Sequence, residues 1–139
     1  MNAIIVVLFT IFCVNVYGQQ RDENRIDSEL ETCLEQSSSQ TTVGMVACFV
    51  EAEKKWNKEL NFQLQQLRKS LSPEQQIKLE KAQSDWEKFR ESEIAFLKQY
   101  YTEMQGTIWN ISLSKSKMEL SKNRSIELSS YSSYISDER

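Results

Sequence analysis

Apolar residues recur at helical spacing through the middle of the chain, between residues 79 and 104. Successive members are three or four residues apart, with one interruption at Glu93, so they lie along one side of a helix. The members of this stripe are Leu79, Ala82, Trp86, Phe89, Phe96, Tyr100 and Met104. An apolar stripe of this length needs partner helices along most of it. The chain is therefore predicted to be a bundle of helices.

Glycine and proline, the residues least compatible with a helix interior, occur only three times and once in 139 residues. We predict an all-α fold with a short N-terminal helix at 24–36, a hairpin of helices at about 43–70 and 73–105, and a C-terminal helix at about 108–130. Ser72, Pro73 and Gln75 form a helix-start signal between the two long helices, and the short connection makes them antiparallel. The C-terminal helix is expected to pack on this hairpin through a stripe of Trp109, Leu113, Leu120, Leu128 and Tyr131.

The first 18 residues carry no charged side chain and include an apolar run at 4–14. Small residues at Val16 and Gly18 suit a signal-peptidase site, so residues 1–18 are predicted to be a signal peptide. An uncleaved anchor is the alternative, although the run is short for a membrane span. The expected mature protein is a single domain at 19–131 with a frayed tail at 132–139. It would be periplasmic or secreted, without stable membrane insertion after cleavage.

Two cysteines, Cys33 and Cys48, remain beyond the predicted signal peptide. In an oxidising compartment, such a pair in a small domain predicts one disulfide, here across the serine-rich connection at 37–42. The closed loop of about 16 residues would stabilise the fold by roughly 3 kcal/mol. There is no Cys-x-x-Cys motif and no histidine to activate a thiolate, so a redox or nucleophilic role is not supported.

The chain offers no recognisable catalytic constellation. Without histidine, a Ser-His-Asp triad, a Cys-His pair and a histidine-rich zinc site are excluded. Carboxylate pairs such as Glu91 and Glu93 are two residues apart and diverge on a helix. We therefore expect no enzymatic activity, no cofactor and no metal site. With 17 basic and 20 acidic residues, the composition also gives no basic footprint for nucleic acid.

Acidic residues concentrate near the start of the predicted domain, where residues 21–36 hold six acidic and two basic side chains. This cluster is either a solvated helix face or a docking site for a basic protein partner. On the second interpretation, Glu29, Glu31 and Glu35 are the candidate partner-binding residues.

The three tryptophans, Trp56, Trp86 and Trp109, are either ligand-stacking platforms or core residues, and their positions within helical stripes favour the core. Gln83 and Arg90 lie beside the central stripe. We interpret them as structural polar contacts, with Glu53, Glu93 or an exposed carbonyl as the partner of Arg90.

Several short motifs occur together in a fixed order. They are Cys33, Cys48, the segment Trp56-Asn57-Lys58-Glu59-Leu60-Asn61, the pattern Ala82-Gln83-x-x-Trp86-x-x-x-Arg90, Gly106-Thr107, and Met118-Glu119-Leu120-Ser121-x-x-Arg124-x-x-x-Leu128. In this order the chain resembles the lysozyme-inhibitor LprI-like family of exported bacterial proteins, over nearly all of residues 27–131.

The resemblance implies a helical binding protein of the bacterial envelope, with lysozyme as the specific candidate partner. A structural or stress-related envelope protein is the alternative. The chain departs from the family pattern at Asn57, where an aspartate is usual, and at Leu64, where an aromatic residue is usual. Ile94 and Ser116 stand where a second cysteine pair is common, so the last helix is expected to have no cross-link of its own.

Overall fold

The computed structural model describes residues 25–137, which form four α-helices joined by short connections. Helix α1 covers residues 25–35, α2 covers Thr42–Lys69, α3 covers Pro73–Thr102 and α4 covers Ile108–Asp137. A 3₁₀ turn at Ser37–Ser39 connects α1 to α2. No β-strand occurs within residues 25–137, and the all-α prediction is confirmed. The predicted signal peptide at 1–18 lies outside the described residues.

The long helices α2 and α3 begin within one residue of their predicted starts, because both have strong N-caps. The Thr41 side chain accepts a hydrogen bond from the Gly44 amide at 3.0 Å. The Ser72 side chain accepts from the Gln75 amide, while the Gln75 side chain accepts from the Ser72 amide at 2.9 Å. This capping box satisfies two amides that a helix start leaves unpaired.

The connection between α1 and α2 is held by the predicted disulfide. Cys33 and Cys48 are bonded with their Cα atoms 5.8 Å apart. The chain passes so close to the first turn of α2 that a Cβ on Gly44 would lie 2.5 Å from the Ser38 carbonyl oxygen. A side chain at position 44 would therefore force the connection away from α2.

Helices α2 and α4 form the most extensive helix pair, and α1 and α3 pack beside them. Trp56 is fully buried at the centre of α2, as predicted for a core tryptophan. One core cluster lies towards α1 and comprises Ile26, Phe49, Ala52, Trp56 and Met118. A second core cluster, comprising Leu60, Leu67 and Leu128, is covered by partly buried residues that include Leu71, Leu79, Trp86 and Ile135.

The predicted stripe of α4 is displaced from the observed inward face, and of its five members Leu128 alone lies on that face. The inward face carries buried or partly buried side chains at steps of three and four residues, and most of the fully buried ones are small. These side chains are Ile111, Ser114, Met118, Ser121, Ser125, Leu128, Ser132 and Ile135. Ser121 and Ser125 have no exposed surface at all, and their small size allows α4 to approach α2 closely. Tyr131, which the prediction placed in the core, is 40% exposed.

The predicted stripe of α3 is also displaced around the helix. Phe89 is 54% exposed and Phe96 is 58% exposed, whereas Gln83 is the buried residue of α3. The inward face consists of Leu79, Gln83, Trp86, Arg90, Ile94, Leu97 and Tyr101. The polar partners that α2 and α4 offer to Gln83 and Arg90 hold α3 in this orientation.

Helix α4 continues to Asp137 rather than ending near residue 130. Ile135 packs on the cluster of Leu60, Leu67 and Leu128, which gives the last turns an apolar contact. Fraying of residues 132–139 stays a prediction, and residues 138 and 139 lie beyond the described chain.

Candidate binding surface

The three predicted partner-binding carboxylates of α1 do not share one environment. The Glu29 carboxylate accepts hydrogen bonds from Lys55 at 2.6 Å and from Arg25 at 3.1 Å. The hydrogen bond from Lys55 is the main reason that the pKa of Glu29 lies below its usual value. Glu31 and Glu35 are exposed, lie one helical turn apart, and form no ion pair with any described residue. The structure thus brings Glu31 and Glu35 together and ties Glu29 to α2.

A network of charged side chains links α2, α3 and α4 on the inward side of α3. Glu53 of α2, which is 9% exposed, accepts a hydrogen bond from Arg90 at 2.8 Å and lies 3.5 Å from the Lys117 ammonium. Glu53 is one of the three partners that the sequence suggested for Arg90. Arg90 also lies 6.0 Å from the centre of the Trp86 ring, within reach of a cation–π contact.

Arg124 of α4, like Arg90, lies beside the Trp86 ring and forms polar contacts with a neighbouring helix. It donates to the Gln83 side-chain oxygen at 3.1 Å and to Glu127 at 2.6 Å, and it lies 5.8 Å from the Trp86 ring. Tyr131 donates a hydrogen bond to Glu127, which lowers the pKa of Glu127 and raises that of Tyr131. Each buried charge in this network lies near an opposite charge or donates to a neutral acceptor, while the buried Nε of Arg90 has no hydrogen-bond partner among the described residues. These contacts connect α3 to α2 and α4.

A small cleft between α2 and α3 holds about 170 Å³. It is lined by Leu64, Arg68, Leu79, Glu80, Gln83, Ser84 and Glu87. Arg68 and Glu80 form an ion pair at 2.7 Å across it. The cleft is smaller than the roughly 300 Å³ at which drug-sized ligand pockets begin. Its position and its ion pair indicate a gap in helix packing.

Residues 25–137 contain neither a cluster of metal-binding side chains nor a helix that could cross a membrane. Within that range, no three histidine, cysteine, aspartate or glutamate side chains come close enough together to hold a metal ion. None of the helices in the described part of the chain has the length and apolar character needed to cross a bilayer.

The aromatic residues where α3 ends and α4 begins form a continuous row of rings. Phe96 stacks on Tyr100 with ring centres 5.9 Å apart, Tyr100 contacts Tyr101 at 5.4 Å, and Tyr101 stacks on Trp109 at 5.6 Å. We call these four residues the aromatic ladder. Tyr100 is 47% exposed, and the Trp109 indole N–H donates to the Gln105 carbonyl at the surface.

The aromatic ladder corrects the interpretation of Trp109 as a core residue, because its ring is stacked at the surface and only partly buried. The sequence interpretation assigned Phe96 and Tyr100 to the core as well. A signal was present in the composition of α3, which carries aromatic or aliphatic residues at 94, 96, 97, 100 and 101. These positions extend around more of the helix than one buried stripe can cover.

The described residues form an all-α protein in which a disulfide joins α1 to α2 and buried charged groups are ion-paired. The sequence profile of the family described as "Lysozyme inhibitor LprI" matches residues 33–128, and the chain belongs to that family. The match includes both bridged cysteines, the charged network and the aromatic ladder. The family is named for inhibition rather than for a catalysed reaction.

A crystal structure of an uncharacterised protein from Burkholderia thailandensis has a similar fold. The two align with a TM-score of 0.74 and 22% sequence identity, over 80% of this chain and 54% of the other. This chain thus spans about half of the length of that structure, and the similarity supports the fold alone. Among curated proteins, none matches the chain significantly.

Proposed function

We propose that this protein is an exported binding protein that inhibits lysozyme. The observation that carries the proposal is its membership of the LprI family, whose profile covers most of the described helices. Within the described residues, the buried carboxylate of Glu53 forms ion pairs with Arg90 and Lys117, which supports a structural role for it.

The charge of the chain supports a basic partner. The whole sequence carries a net charge of −3, and Glu31 and Glu35 form no ion pair with any described residue. Lysozymes of the vertebrate type are basic proteins, so opposite charges would increase the rate of encounter. Glu29 contributes less to this field, because Lys55 and Arg25 neutralise it within the molecule.

The disulfide supports export of the protein. A bridge between Cys33 and Cys48 fits a location outside the cytoplasm, where such bonds persist. We infer that the segment at 1–18 directs export and that the protein acts in the periplasm or after secretion, where it would meet a lysozyme.

Lysis of a peptidoglycan substrate by a vertebrate-type lysozyme tests the proposal. The protein, purified in its oxidised form from an export-competent host, is expected to reduce the rate of lysis and to reach saturation at a fixed stoichiometry. Inhibition should weaken as the ionic strength rises, because salt screens the exposed carboxylates. The double variant Glu31→Gln/Glu35→Gln should weaken inhibition, whereas Glu74→Gln, a change of one exposed carboxylate at the start of α3, should not.

One possible result would contradict the proposed function, and another would contradict only the proposed docking face. No inhibition of several lysozyme types by a folded, oxidised sample would contradict the proposed function and favour the structural or stress-related envelope role. Inhibition that persists at high salt and in the double variant would retain the function and reject the α1 carboxylates as its docking face.

A further inference from the structure

Four chain segments meet at one end of the bundle. Helix α1 ends at residue 35, α2 begins at Thr42, α3 ends at Thr102 and α4 begins at Ile108. The Thr42 and Thr107 hydroxyls are hydrogen bonded at 3.0 Å, which places the start of α2 directly against the start of α4. The disulfide holds the last turn of α1 to the same region of α2. Glu35 and the aromatic ladder therefore lie at the same end of the molecule.

We propose that this end is the docking face for a basic protein, with the aromatic ladder as its anchor. The proposal deepens the proposed function, since a basic lysozyme is one such partner. Phe96 is 58% exposed, Tyr100 is 47% exposed and the neighbouring Ile108 is 57% exposed, so large apolar side chains are concentrated at one site. Contiguous exposed apolar surface of this kind marks interaction sites in soluble proteins.

The rings are held in place before any partner binds. Each ladder residue stacks on or contacts the next, and the Trp109 ring is fixed by its hydrogen bond to the Gln105 carbonyl. Tyrosine and tryptophan contribute large contact areas at low entropic cost and are frequent energetic anchors of interfaces. Their faces also attract arginine and lysine side chains through cation–π contacts.

The charges around the ladder select the partner. Glu31, Glu35 and Glu103 are exposed at this end and form no ion pair with any described residue. Helix α3 has no basic residue in its last turn, and its C-terminal carbonyls add negative potential. Lys98 is the nearby exposed cation on α3. A second copy of this chain would bring carboxylates against carboxylates, whereas a basic protein would bring opposite charges together.

Binding kinetics with four variants test the docking face. Phe96→Ser/Tyr100→Ser removes two exposed anchors, and its matched control is Ile77→Ser, which removes a 65% exposed side chain near the other end of α3. Glu35→Gln/Glu103→Gln removes two of the exposed carboxylates, and its control is Glu74→Gln at the start of α3. The probes are a vertebrate lysozyme, ribonuclease A as a second basic protein, and ovalbumin as an acidic protein.

We expect the aromatic double variant to weaken binding to a basic protein by at least about tenfold, mainly through faster dissociation. The carboxylate double variant should slow association and reduce its salt dependence. Both controls should bind within about twofold of the wild type, and ovalbumin should not bind. Circular dichroism of each variant verifies that the helices are intact.

The outcomes separate the docking face from the proposed function. Lysozyme binding that is unaffected by the aromatic double variant would overturn the docking face and leave the function intact. Absence of lysozyme binding, with ladder-dependent binding of ribonuclease A, would overturn the function and support the face. Absence of binding to either basic protein would overturn the docking face. A dimer in sedimentation analysis that Phe96→Ser/Tyr100→Ser dissociates would assign the ladder to self-association and also overturn it.

Discussion

Two buried serines of α4 differ in whether their hydroxyl groups form a hydrogen bond. Ser121 and Ser125 are both fully buried. The Ser121 hydroxyl donates to the Asn57 side-chain oxygen at 2.9 Å, so Asn57 has a structural partner. The Ser125 hydroxyl has no hydrogen-bond partner among the described residues. A buried hydroxyl without a partner opposes folding, whereas a bonded one contributes modestly to stability.

The two serines give a matched pair of substitutions. Ser125→Ala should leave stability unchanged or raise it by about 1 kcal/mol, because no hydrogen bond is lost. Ser121→Ala should be less stable than Ser125→Ala by about 1–2 kcal/mol, because Asn57 loses its donor. Both changes gain the same helix propensity, so their difference isolates the hydrogen bond. Urea unfolding measures it, and equal stabilities of the two variants would contradict the assignment.

Trp86 and Phe89 test the register of α3. Trp86 packs on the cluster of Leu60, Leu67 and Leu128 and lies near two arginines, so Trp86→Ala should lower the free energy of unfolding by about 3 kcal/mol. Phe89 is 54% exposed, so Phe89→Ala should change it by no more than about 0.5 kcal/mol.

Denaturant unfolding measures both changes. A larger loss of stability in Phe89→Ala than in Trp86→Ala would contradict the observed orientation of α3 and support the one that the sequence stripe predicts. The comparison needs no knowledge of function, because both residues are on the same helix and one turn apart.

At the scale of the helices, the disulfide joins α1 to α2 and should contribute a large share of the stability of this small domain. Cys33→Ser/Cys48→Ser should lower the free energy of unfolding by about 2–4 kcal/mol, because the unfolded chain regains the freedom of a closed loop. Reduced wild-type protein is the control and should unfold at nearly the same urea concentration. Labelling of both cysteines in the denatured, non-reduced protein would show that the bridge does not form.

The starts of α2 and α3 could be predicted from the sequence, but the helix faces could not. Ser72, Pro73 and Gln75 act within one turn, so local chemistry determines where α3 begins. The orientation of α3 depends on Glu53 and Arg124, which lie 37 residues before Arg90 and 41 residues after Gln83. A hydrophobicity pattern favours Ala82 and Phe89 over Gln83 and Arg90, because it contains no information about distant polar partners.

The face of α4 was missed for a related reason. Its contact with α2 depends on Ser114, Ser121 and Ser125. Because serine is polar, a hydrophobicity pattern assigns these positions to the surface. Small residues allow close helix approach by their size rather than by their hydrophobicity. That property becomes visible only when the partner helix, with Trp56 and Leu60 on its buried face, is known.

At the scale of the whole molecule, the acidic partner-binding region stays a prediction. The sequence indicated an acidic binding region, and Glu31 and Glu35 are exposed as that prediction requires. It could not indicate that Glu29 is engaged by Lys55, a residue 26 positions away. It also could not indicate that the ends of α1 and α3 converge, because that depends on how four helices are arranged in space.

Helix α3 differs from its neighbours in how little of it is enclosed. Gln83 is its one buried residue, and its contacts are made by partly buried side chains such as Leu79 and Trp86 and by a few polar bonds. We expect its amides to exchange hydrogen with solvent faster than those of α2 and α4, as one cooperative unit. Helices α1, α2 and α4 would then stay packed together while α3 detaches from them at a lower free-energy cost than global unfolding. A partner that clamps α3 would slow this exchange along the whole helix, including at amides far from the contact.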